Sequence, residues 1–250
     1  MADRPATDRS RRPAFYGLPG GRSWRGWWTV LHPPYTAWHL SYVVIGSVLV
    51  PDPALSVLLA TLAAFFLAVG VGAHALDELN GHPLGTSLGR RSLVAATAVG
   101  LAGAVALGVV GVVRQGPVLV PFIVAGVTLA VGYNAELFGG ALHRDWVFAV
   151  AWGGFPVLTA YVAQARTLSA AAVAAAVAAV GLSAAQRALS SPARLLRRSA
   201  RRVQGTVVLD DGSERVIDER ALLVPLERAL QAMSWGAVAL AVALALDRMT

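Results

Sequence analysis

Seven apolar runs constrain this chain more than any other feature of it. They lie at about residues 35–50, 54–79, 92–113, 118–132, 147–163, 168–182 and 222–246. A helix of about 20 apolar residues crosses a hydrocarbon core roughly 30 Å thick. Composition points the same way: of 250 residues 56% are hydrophobic and 14% charged, whereas soluble domains average about 25% charged. The mean hydropathy is +0.60. The sequence therefore predicts an all-α integral membrane protein, a bundle of about seven transmembrane helices.

The net charge of +7 does not call for nucleic acid as a partner, because the arginines collect at segment ends, as the positive-inside rule requires. All basic residues are arginine, and there is no cysteine, which excludes disulfides and thiolate metal sites. Arg4, Arg9, Arg11, Arg12, Arg22 and Arg25 stand without an apolar core beside them, so the beginning of the chain does not read as a cleavable signal peptide. Residues 1–26 read as a disordered cytoplasmic tail and 27–250 as one transmembrane domain. WRGWWTVLHPP, residues 24–34, reads as an interfacial approach, since Trp settles at headgroup depth. Arg90 and Arg91 mark the cytoplasmic side, while Pro51-Asp52-Pro53 lacks positive charge and faces out. This makes a multi-pass protein of the cell membrane with a cytoplasmic amino terminus. Residues 183–220 form the largest hydrophilic stretch, a cytoplasmic loop. Within it QGTVVLDDGSERVID, residues 204–218, predicts a small β-hairpin, because Gly212 accepts the positive φ of a tight turn after Asp211.

Two polar clusters end apolar runs on the predicted cytoplasmic side. VGVGAHALDELNGHPLGTSLGRR, residues 69–91, ends the second, and GYNAELFGGALHRDW, residues 132–146, follows the fourth. Residues three and four apart share a helix face, so His74 lies beside Asp77 and Glu78, with Asn80 and His82 following as Asn80-Gly81 ends the helix. Two carboxylates and an imidazole could hold a divalent metal, and oxygen-rich ligation favours Mg²⁺. The plainer reading is that Asp77 and Glu78 cap the membrane boundary. In the second cluster Tyr133, Asn134 and Glu136 are the candidates, and no basic partner for Glu136 stands in the apolar run before it. His143, Arg144 and Asp145 read as a solvated loop. Arg187 and Arg194 lie closest to the sixth run, where a lipid phosphate could meet the bundle.

Three segments together resemble the UbiA superfamily of intramembrane prenyltransferases: LHPPYTAWHLSYVVIGSVLV, AHALDELNGHPLGTSL and GYNAELFGGALHRDWVFAVAWGGFPVLTAYVAQA. The likeness covers most of residues 27–200. It implies a helical bundle with a cavity opening to the membrane and a polar cytoplasmic cap, in which aspartates hold Mg²⁺ against a polyprenyl diphosphate. Asp77 matches an aspartate of the family's first motif, His74 stands where another acid is usual, Glu78 is an acid one place displaced, and Tyr133 matches a loop tyrosine. Where the second acidic motif would stand, LSAAQRALSSPARLLRR has no acid; Arg187 and Arg194 could pair directly with phosphate oxygens there. The resemblance thus implies a prenyltransferase acting on an isoprenoid or other membrane lipid. Asp77, Glu78, Tyr133 and Glu136 would be catalytic, and His74, Asn80, His82, Asn134, Arg187 and Arg194 would bind substrate. Mg²⁺ would sit on Asp77, Glu78 and His74. A non-catalytic lipid-binding or scaffold protein and a small transporter are the competing classes.

Overall fold

A computed structural model describes residues 14–18 and 22–249. Helices make up 76% of the described residues. They are α1 (Ser23–Val30) and α2 (Pro33–Val48), then α3 (Leu55–Leu79), α4 (Arg90–Gln115), α5 (Pro117–Asn134), α6 (Asp145–Ala165) and α7 (Ala170–Arg198). After β1 (Gly205–Val208) and β2 (Glu214–Ile217) the last helix is α8 (Glu219–Met249). Among the described residues, six helices, α3 to α8, are long and apolar enough to cross a membrane. α2, expected as the first of seven spans, has 16 residues, or about 24 Å at 1.5 Å per residue.

That short helix is nevertheless the pillar of the bundle. It packs against α8, the second half of α6, α3 and α7. Trp38 and Tyr42 of α2 join Val157, Ala176, Ala179 and Ala237 in one buried cluster, and Trp38 Nε1 donates to Tyr42 Oη at 2.6 Å. In lipid, helices are held by close packing rather than by expulsion of water, so small residues mark their crossings. A Cβ on Gly46 would collide with the Val157 carbonyl oxygen, one on Gly153 would stand 2.5 Å from that of Ala179, and one on Gly100 2.7 Å from the Gly72 nitrogen. Burial follows: 67% of the apolar window of α6 is inside the bundle, against 11% of that of α4, which lies at the edge. Hydroxyls within the spans are satisfied locally, Thr61 by Val57 O, Thr97 by Leu93 O and Thr159 by Phe155 O, as a medium without water demands.

Two spans are not regular α-helix. α3 widens to a π-helix at Phe66–Ala73 and α6 at Val150–Gly154, and such turns recur beside functional sites. In α6 the cause is legible, because Pro156 has no N–H to give the Trp152 carbonyl four residues before it. His39 Nδ1 of α2 bonds that oxygen at 2.9 Å.

Two stretches depart from the expected organisation. Residues 183–198, read as the start of a loop, continue α7 as helix. Their Ala, Leu, Gln and Arg favour helix, and Ser183, Gln186, Ser190, Ala193 and Leu196 form a buried stripe at helical spacing. Part of the expected tail is packed: Tyr16 is buried, Leu18 N donates to Thr29 Oγ1 and Trp28 Nε1 to Tyr16 O, and residues from Ser23 onward form α1. Residues 1–13 and 19–21 of that tail lie outside the described residues. The hairpin forms as expected, antiparallel with Gly205 opposite Ile217 and Val208 opposite Glu214. Gly212 takes φ 79°, and Asp211 Oδ1 accepts from Ser213 N at 2.9 Å.

Candidate functional site

The ends of α3, α5 and α7 meet at one end of the bundle around a cavity of about 310 Å³. Helix α3 delivers His74 and Asp77, α5 delivers Tyr133 and Asn134, and α7 delivers Gln186, Arg187, Ser190, Arg194, Arg197 and Arg198. The α7 residues recur at helical intervals, 186, 190, 193 and 197 on one line and 187, 194 and 198 on the next, so one face of an amphipathic helix supplies the cationic wall. The two polar clusters of the sequence therefore share one site. Asn80 Nδ2 donates to Asn134 O at 3.2 Å and ties the ends of α3 and α5 together, while Asn134 Nδ2 donates back to Ala130 O at 2.7 Å.

Adjacent acids have opposite fates here. Asp77 lines the cavity. Glu78 is fully buried on the other side of the helix, where it accepts from Leu84 N at 3.0 Å, Thr86 N at 2.9 Å and Thr86 Oγ1 at 2.8 Å. Glu78 thus folds the loop after α3 back onto the helix, and exposed His82 sits 3.5 Å from its carboxylate, away from the cavity. Glu136 is exposed at the rim with φ 49°. Among the described residues no group of three His, Asp or Glu side chains is placed to hold a metal. The donor set does not fit Mg²⁺ held by His74, Asp77 and Glu78, because residues 77 and 78 project about 100° apart on a helix.

Arginine dominates the opposite wall, each guanidinium held differently. Arg197 forms a bidentate pair with Glu227 of α8, Nη2 to Oε2 at 2.7 Å. Arg187 Nε donates to exposed Asp145 at 2.6 Å, its guanidinium 5.5 Å above the Phe148 ring. Arg194 donates to two neutral hydroxyls, Ser190 and Ser191, each at 3.0 Å, which orient the fork without neutralising it. Asp145, expected as solvated loop, is exposed but joins the site through Arg187, and the His143 ring stacks on Tyr133 with centroids 4.4 Å apart.

The sequence reading missed His32, Tyr16, Tyr35, His39, Gln186 and Trp152, all of which line the cavity. His32 stands immediately before Pro33 yet adopts φ 46°, ψ 55°, a left-handed conformation that pre-proline residues avoid and that clusters at functional sites. Tyr16 Oη hydrogen-bonds its Nδ1, and the His74 ring lies 4.5 Å away. Burial, seconded by His74, Arg198 and Arg194, holds the His32 imidazole well below its usual range, so it is neutral; burial holds the Tyr16 phenol well above its own. The motif His32-Pro33-Pro34 was the available signal. Five buried polar side-chain atoms have no hydrogen-bond partner among the described residues, and four of them, His32 Nε2, His74 Nδ1, Tyr133 Oη and Gln186 Oε1, belong to residues lining this cavity.

A second cavity, about 320 Å³ and lined mostly by apolar side chains of α3, α4, α5 and α6, with Arg114 and Gln115 among its lining, lies alongside. Trp152, on the π turn of α6, lines both. No protein-family model, curated protein or solved structure matches the chain.

Proposed function

We propose that the protein is a UbiA-like membrane prenyltransferase acting on a polyprenyl diphosphate or a related lipid phosphate. The observation that carries this reading is the pairing of cavities across Trp152: one polar, arginine-rich and holding four unpartnered polar atoms, the other mostly apolar. A ligand with an anionic head and an apolar tail matches both at once. Buried unpartnered polar atoms are costly, about 1 to 3 kcal/mol each, and a ligand that pairs them recovers that cost.

In the transfer step the bond between the allylic carbon and the diphosphate oxygen breaks heterolytically. The electron pair leaves with the diphosphate, and the allylic cation is captured by an acceptor that then loses a proton. Arg194 with its neighbours on α7 would hold the departing anion, and such electrostatic stabilisation of developing charge is worth about 3 kcal/mol per well-placed donor. The faces of Trp152, Phe148 and Tyr133, packed within 4.7 to 6.1 Å of one another, would meet the cation. Asp77, facing the cavity, is the candidate proton acceptor. The cavity mouth lies at the hairpin end of the bundle, and we assign that end to the cytoplasm because the arginines collect there.

The test is turnover of labelled polyprenyl diphosphate by the purified protein with a panel of aromatic and lipid acceptors. Diphosphate release with transfer supports the reading; no transfer together with no binding of any prenyl phosphate refutes it. A non-catalytic lipid-binding role is the second reading, favoured by the commitment of Glu78 to three structural hydrogen bonds. It predicts binding without turnover.

A further inference from the structure

We infer that the polar cavity binds a phosphate group directly, without a divalent cation, through Arg194, the Nε2–H of His32 and the hydroxyl of Tyr133. This deepens the proposal above and rests on its placement of a lipid phosphate in this cavity. The family pattern puts metal-bound carboxylates here; this chain puts guanidinium groups where the second acidic motif would stand, and turns one of its two adjacent acids out of the cavity. A bidentate guanidinium neutralises phosphate oxygens by itself.

Each of the three groups is prepared for an acceptor. The fork of Arg194 is fixed by Ser190 and Ser191, one helical turn or less away on α7, so little side-chain freedom is lost on binding. Among the described residues no carboxylate forms an ion pair with it within 4 Å. With the Tyr16 hydroxyl as donor to His32 Nδ1, its hydrogen-bond partner, the proton of the neutral ring stands on Nε2. That nitrogen is buried without a partner and is held by backbone in an unfavourable region. Tyr133 is 4% exposed and its hydroxyl also lacks a partner, its ring clamped between His143 and Trp152 at 4.4 and 4.7 Å. Gln186 Oε1, equally unpartnered and 2% exposed, is an acceptor, so it suits a protonated phosphate oxygen. Asp77 shares the cavity and favours a partly protonated phosphate over a fully ionised one.

The experiment is equilibrium binding to the full chain in detergent micelles, with farnesyl monophosphate, farnesol and inorganic pyrophosphate as probes, each in excess EDTA and in millimolar Mg²⁺. Farnesyl monophosphate is expected to bind in EDTA, with Mg²⁺ changing affinity less than about threefold and farnesol at least tenfold weaker. Arg194→Gln should lower affinity at least tenfold. Arg194→Lys, which keeps the charge and loses the fork, should fall between. Tyr16→Phe, which frees the His32 tautomer, should lower affinity severalfold while leaving farnesol binding unchanged, a selectivity that general loosening of the fold would not give. Binding that appears only with Mg²⁺ overturns the inference and leaves the prenyl diphosphate reading standing. Equal binding of farnesol and its phosphate overturns it too, because the site then reads only the tail. Pyrophosphate binding without farnesyl phosphate binding keeps the anion site and sinks the lipid reading, and no binding of any probe sinks both.

Discussion

Replacing Glu78 separates structural from catalytic acids at this site. Its carboxylate accepts from two backbone N–H groups and one hydroxyl, and it is fully buried. Glu78→Ala strands the N–H groups of Leu84 and Thr86, at about 1 to 3 kcal/mol per unsatisfied donor, and removes a charge-assisted bond to the Thr86 hydroxyl. The sum is a loss of about 4 to 9 kcal/mol, a large part of the total stability of a typical domain, about 5 to 15 kcal/mol. Glu78→Gln keeps one acceptor oxygen but turns an amide donor toward a second N–H, for a loss of about 1 to 3 kcal/mol. The Asp77 carboxylate next door lines the cavity and holds no loop in place, so Asp77→Asn should change stability by less than about 0.5 kcal/mol and act on binding and turnover instead. Unfolding in detergent micelles, followed by tryptophan fluorescence, should rank Glu78→Ala well below Glu78→Gln, and that below Asp77→Asn. The reasoning is refuted if Glu78→Ala unfolds within about 0.5 kcal/mol of the unmodified protein, or if Asp77→Asn proves the more destabilising.

Three further outcomes are expected. Gly46→Ala drives a methyl into the Val157 carbonyl oxygen, so α2 and α6 must separate; a loss of about 3 kcal/mol or more should appear as a lower melting temperature. Arg197→Ala leaves Glu227, with an 11% exposed side chain, without its guanidinium. It should cost about 3 to 5 kcal/mol, of which Glu227→Gln in the same chain should restore part. Stability should also fall with pH below about 6.5, because the unfolded His32 takes up a proton there while the folded ring, its pKa pushed well down by burial, does not. One such group gives a slope approaching about 1.4 kcal/mol per pH unit, full stability being present above the unfolded value. His32→Asn should flatten the pH dependence measured by thermal unfolding.

Apolar run length is a local property, and so the spans were legible. The expected run at 92–113 became Arg90–Gln115, that at 118–132 became Pro117–Asn134, and that at 147–163 became Asp145–Ala165. The hairpin was legible for the same reason, since Asp211-Gly212 encodes its own turn. Residues 183–198 were not, because their polarity suggests solvent while their burial depends on the neighbours that cover Gln186 and Ser190.

The candidate site was legible only as a set of residues at one end of the bundle. Both polar clusters and the α7 arginines do meet there, because strict alternation of spans brings even-numbered ends together. Which side chains enter the cavity was decided by packing. A π turn inserts an extra residue and rotates the rest of the helix by about 100°, and His74, Asp77 and Glu78 come directly after such a turn. Sequence spacing puts each of the two acids beside His74; the fold puts Asp77 inside and gives Glu78 to the loop. His32, Tyr16 and Gln186 come from segments far apart in sequence, and their convergence has no local signature. The sequence by itself determined where the long apolar helices run and at which end the polar residues gather. Only the tertiary structure decided which of those residues face a ligand, because that depends on helix phase and on the neighbour each helix meets.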